Sequence, residues 1–102
     1  MSKFYEIIEN ETELTHTLYR VAAGGRDIKK YLGRQFACVC GLRERCRGKN
    51  DFEILIEYLK MRDELVEELN RRECHNGKNS EGVAAINDML KELDKIAHFF
   101  IM

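Results

Sequence analysis

The stretch Phe36–Cys46, FACVCGLRERC, places Cys38, Cys40 and Cys46 within nine residues, with arginines between them. Thiolates are zinc's preferred donors, and a zinc site assembles close ligand pairs from a tight turn with further ligands from elsewhere. Cys38 and Cys40 form such a pair, and Gly41 follows where the backbone would turn. Arg43, Arg45 and Arg47 would offset the charge of several thiolates and favour deprotonation. The competing account is that the thiols are small buried side chains, because C-x-C signals zinc less specifically than C-x2-C. Redox chemistry ranks below both.

The fourth donor is constrained by distance. Cys46 precedes Phe52 by six residues and stays within about 20 Å of it. Cys74, at the far end of a continuous helix, lies about 33 Å from Phe52. His98 returns towards the cluster if the last helix runs back antiparallel, so the expected metal set is Cys38, Cys40, Cys46 and His98. Cys74 and His75 remain as alternatives.

No other chemistry is announced. Gly24–Gly25 lacks the context of a phosphate loop, no HExxH occurs, and His16, His75 and His98 are dispersed without a neighbouring nucleophile. The expectation is a protein that is not an enzyme.

Charge is divided unevenly along the chain. Residues 20–49 hold nine Lys or Arg against two acids, a net of +7, and the remainder holds eight against sixteen, a net of −8. Arg26, Lys29, Lys30, Arg34, Arg43 and Arg45 could contact nucleic-acid phosphates. The same cations could instead pack against an acidic helix and fix the register of a bundle. Glu53, Glu57, Glu64, Glu67 and Glu68 on that helix are the candidate surface for a macromolecular partner.

The elements that must position these residues are mainly helical. The 102-residue chain contains no proline, and its size fits a single domain, 1–102. In 51–73, Phe52, Leu55, Ile56, Leu59, Val66 and Leu69 follow helical spacing, with Leu65 beside them and Asp51 as expected N-cap. Gly77 ends that helix. A second begins near Ser80, with Val83, Ile86, Leu90, Leu93, Ala97 and Phe100 spaced by threes and fours. The short connection predicts an antiparallel C-terminal pair. Asp27 to about Ala37 reads as a helix. Residues 3–23 read as helix or as a short β-hairpin, since LTHTLYRV also alternates as a strand would; helix is preferred because a lone ribbon needs cover. A zinc-stapled loop would complete the fold.

No apolar run reaches the roughly 18 residues that cross a bilayer, and the acidic start is unlike a secretory signal. The expectations are a cytoplasmic address and no membrane partner. A short, acidic-ended domain with one tight cysteine cluster resembles the small phage-encoded inhibitors of bacterial defence, including the anti-CRISPR proteins. The resemblance covers the style of the whole chain and no specific motif. It implies an inhibitor, in the cytoplasm of a bacterial host, that occupies a surface of a nucleic-acid-handling effector such as Cas9. The alternative is a small nucleic-acid-binding or regulatory module using the basic segment.

Overall fold

The structure, a computed structural model, describes residues 2–77 and 79–102, with Asn76 described by its backbone alone. Four helices follow one another: α1 (Lys3–Val21), α2 (Arg26–Cys46), α3 (Asp51–Asn76) and α4 (Glu81–Ile101). Each contacts the other three. A 26-residue helix is about 39 Å long, so α3 accounts for the 42 Å long axis of the molecule.

Helix ends follow local chemistry. Ser2 caps α1, its hydroxyl accepting from the Tyr5 amide at 3.0 Å. Asn50, rather than Asp51, caps α3, in a reciprocal capping box with Glu53. Asp51 serves α1 instead: its carboxylate accepts from the Ser2 hydroxyl and, at 3.0 Å, from the Phe4 amide. These two bonds tie the start of α1 to the start of α3, and they hold the Asp51 carboxyl below its ordinary range. Gly77, at φ +79°, ends α3 in a conformation that side chains disfavour. Ser80 then caps α4, accepting from Val83 at 3.2 Å.

The hairpin expected as an alternative within residues 3–23 is replaced by α1, and the described residues contain no strand. The inward face of α1 is Ile8, Glu11, Thr12 and Thr15, at helical spacing but mostly polar. Thr12 and Thr15 donate their hydroxyls to the carbonyls of Ile8 and Glu11 at 2.7 and 2.9 Å, so β-branched side chains are accommodated within a helix. The strand-like alternation of LTHTLYRV had no counterpart in burial.

Ile8, Cys38, Val39, Leu42, Cys46, Ile54, Tyr58, Leu93 and Ile96 form the core. Phe100 caps one end of it, stacked on Phe4 at 4.3 Å between ring centroids and edge-on to Tyr58 at 6.0 Å. Tyr58 donates its hydroxyl to the Leu93 carbonyl at 2.9 Å, and Arg62 meets Asp94 at 2.5 Å. On its other side α4 is held by α2: Lys30 to Glu81 at 2.9 Å, Arg34 to Asp88 at 2.9 Å, and Cys38 to the Met89 carbonyl at 3.5 Å. The last helix therefore belongs to α2 as much as to α3.

Candidate functional site

Helix α2 runs nine residues past its expected end and carries the whole cysteine cluster. Gly41 makes no turn there; it sits inside the helix, where a Cβ would lie 3.6 Å from the Met61 side chain. Residues two apart on a helix point about 200° away from each other, and eight residues add about 12 Å of rise. Cys38 and Cys40 thus face opposite sides, and Cys46 lies farther along. Cys38 and Cys46 are buried in the core and Cys40 is half-buried.

Burial, and then the nearby Glu92, push the Cys38 thiol up to about 12. Burial, and then Glu57, push Cys46 up to about 11. His98 and Cys74 are exposed on α4 and α3, as is His75. Among the described residues no three His, Cys, Asp or Glu side chains come together to hold a metal. Among the described residues the expected zinc donors are therefore not gathered: Cys38 and Cys40 face opposite sides of α2, with Cys46 farther along it.

The basic segment is largely engaged within the molecule. Lys30 and Arg34 reach Glu81 and Asp88 on α4, and Arg45 grips Glu64 on α3 through two hydrogen bonds of 2.9 and 2.6 Å. Arg43 lies 3.9 Å from Glu44, and Lys29 covers the Tyr19 ring at 5.0 Å. Arg26 is exposed at the start of α2. The expected nucleic-acid residues are therefore spread between helix–helix ion pairs and one end of the bundle.

The expected acidic surface is spent in the same way. Glu53 closes the capping box, Glu57 lies 3.9 Å from Lys60, Glu64 holds Arg45, and Glu68 holds both Arg71 and Arg72. Arg45 holds the Glu64 carboxyl below its ordinary range, and Arg72 does so for Glu68. Glu67 is exposed and has no ion pair among the described residues.

What α3 does present is apolar. Its inward face is Ile54, Tyr58, Met61 and Leu65. The stripe whose spacing marks the helix in the sequence points outward: Phe52 is 71% exposed, Leu59 56%, Leu55 and Ile56 38% each, and Val66 36%. On a helical projection these five share one side of α3, with Asp63 among them and Glu67 at the margin. Contiguous exposed apolar patches on soluble domains mark interaction sites. Helical spacing revealed the stripe but not its direction, because α3 carries two apolar faces and spacing cannot rank them.

A further group escaped the sequence reading altogether. Glu92 on α4 is fully buried and Glu11 on α1 is 3% exposed. Both Glu92 oxygens lack a hydrogen-bond donor. Burial, and then the neighbouring Glu11 carboxylate, push Glu92 up to about 9, so it is held protonated at neutral pH. Lys95 lies 3.1 Å from Glu11 and supplies the opposing charge. Nothing in the local sequence distinguishes Glu92 from its solvated neighbours: it lies about 100° round α4 from Leu93, off the stripe of Val83, Ile86, Leu90, Leu93, Ala97 and Phe100. No protein-family model, curated protein or solved structure matches this chain.

Proposed function

We propose that this chain is a non-catalytic binding protein that occupies a surface of a macromolecular partner through the outward face of α3. The observation that carries this is the exposed row Phe52, Leu55, Ile56, Leu59 and Val66 along one helix. A helix of this kind docks in a groove, with aromatic and large aliphatic side chains as anchors and a polar rim around them. Asp63 within the row and Glu67 at its margin favour a partner surface that carries basic groups.

A nucleic-acid-handling defence effector such as Cas9 has surfaces of that character, and the general resemblance to phage-encoded inhibitors suggests it as the target. Glu64 and Glu68 contribute less than their exposure on the sequence suggests, since each already has an arginine partner. Titration of the purified protein against such an effector tests the proposal. Phe52→Ser with Leu59→Ser should weaken binding by at least about tenfold, the scale of a lost anchor, and Glu67→Lys should weaken it further at low salt. Undiminished affinity in the Phe52→Ser, Leu59→Ser protein would remove α3 as the contact. A steep salt-dependent retention of DNA or RNA would favour the basic segment as the working surface instead.

A further inference from the structure

At the opposite end of the bundle from Phe52, the turn between α1 and α2 combines exposed aliphatic and cationic side chains. Val21 is 68% exposed, Ile28 53% and Leu18 39%. Around them Arg20, Arg26, Lys29 and Lys30 are all exposed, and Ala22, Ala23, Gly24 and Gly25 form the tip. Lys30 is taken by Glu81, which leaves three cations against one acid, Asp27. Arg20 and Arg26 have no ion pair among the described residues.

We infer that this tip is a docking surface for an anionic lipid bilayer, with Val21 and Ile28 entering the headgroup boundary and Arg20, Arg26 and Lys29 meeting lipid phosphates and carboxylates. Apolar side chains ringed by cations are the composition that binds such an interface, the cations through the negative surface potential and the aliphatics through burial. This is surface attachment: no described helix is long and apolar enough to cross a membrane, and attachment needs no such helix. It departs from the expectation of no membrane partner, which rested on spanning alone.

Nucleic acid is the competing polyanion, and the tip is poorly equipped for it. The one aromatic ring, Tyr19, is half-buried, with Lys29 over its face and Gly33 against its edge, so it offers no platform for a base. Between Leu18 and Lys30 there is no Asn, Gln, Ser or Thr to read a base edge. The shallow cavity of about 280 Å³ beside Tyr19 is lined by Arg26, Lys29 and Lys30 and suits a headgroup-sized anion. Exposed Val21 and Ile28 have no use on a phosphate backbone, but they do in lipid.

The experiment is flotation of the full chain with phosphatidylcholine vesicles, with and without phosphatidylserine, at low and high salt. Binding should require phosphatidylserine. Arg20→Ser and Arg26→Ser should each weaken it by about fivefold, the scale of one cation at an anionic surface, whereas Arg26→Lys should leave it unchanged. Val21→Ser with Ile28→Ser should abolish the fraction that survives high salt. All these positions are exposed, so unchanged thermal melting verifies that the variants fold. Phe52→Ser with Leu59→Ser should float like the unaltered chain, which separates this surface from the α3 face. Absence of phosphatidylserine-dependent flotation overturns the inference. So does flotation that tracks Phe52 and Leu59, or an RNA oligonucleotide that binds through Arg20 and Arg26 while vesicles do not.

Discussion

Two carboxyl groups buried together, Glu92 and Glu11, are the most consequential side chains in the interior. Glu92 has both oxygens buried and no donor, and Glu11 and the Cys38 thiol face it from α1 and α2. Lys95, on its own helix, and Tyr58, on α3 beside Cys38, complete the titratable surroundings. In the folded chain Glu92 keeps its proton up to about pH 9, whereas the unfolded chain releases it near 4.5. Between those values the folded state binds the extra proton, so stability falls as pH rises, by at most about 1.4 kcal/mol per unit for one site. Glu92→Gln removes that dependence. Thermal melting of this variant should exceed that of the unaltered chain at pH 8 and should decline less between pH 5 and 9; an unchanged pH profile would show that Glu92 is ionised in the fold. The thiols give a second check. With Cys38 and Cys46 buried and raised to about 12 and 11, a thiol reagent at pH 8 should modify Cys74 fast, Cys40 slowly, and the other two only on unfolding. Composition drew attention to the cysteines, but spacing alone left open whether they lay on a loop or a helix. The helix makes Cys38 and Cys46 core side chains and leaves Cys40 half-buried.

Among the elements, α3 and α4 were legible because their punctuation is strong. Gly77 and Ser80 bound the connection where the sequence expects it, and Val83, Ile86 and Leu93 are buried as their spacing predicts. The N-cap of α3 was misplaced by one residue because Asp51 and Asn50 are both competent caps, and a capping box also needs Glu53 at the third position. Asn50→Ala should therefore cost about 1 kcal/mol, read as a lowered midpoint in urea with unchanged slope. Helix α1 was hard to read because its inward face is Glu11, Thr12 and Thr15, which sequence rules assign to the surface. The aliphatics of its second half, Leu14, Leu18 and Val21, are exposed. Beyond Ile8, inside and outside are exchanged along that helix, so polarity pointed away from the true packing face.

For the whole molecule, the contrast between a basic middle and acidic ends becomes a set of ties between neighbouring helices, Arg34 to Asp88, Lys30 to Glu81 and Arg45 to Glu64, to which Arg62 to Asp94 adds one from outside the basic segment. Such pairs set which helices lie together more than they add stability, since each is worth about 0–1 kcal/mol near a surface. The most enclosed of them, Arg34–Asp88, should give a coupling energy of about 0.5–1 kcal/mol in a double-mutant cycle to Ala, measured by urea denaturation. A value near zero would mean that the pair is incidental to the arrangement.

Two greasy sides on one rod leave a choice that most amphipathic helices never face. Turned by roughly a third of a revolution, α3 would bury Phe52, Leu55, Leu59 and Val66 and offer Ile54, Tyr58, Met61 and Leu65 to solvent. Hydrophobicity alone barely separates these two dockings, so the decision falls to directional bonds, chiefly the Tyr58 hydroxyl on Leu93 and the Asp51 clasp on Ser2 and Phe4. A chain stripped of those bonds would be frustrated, sampling both orientations while its helix content stayed the same.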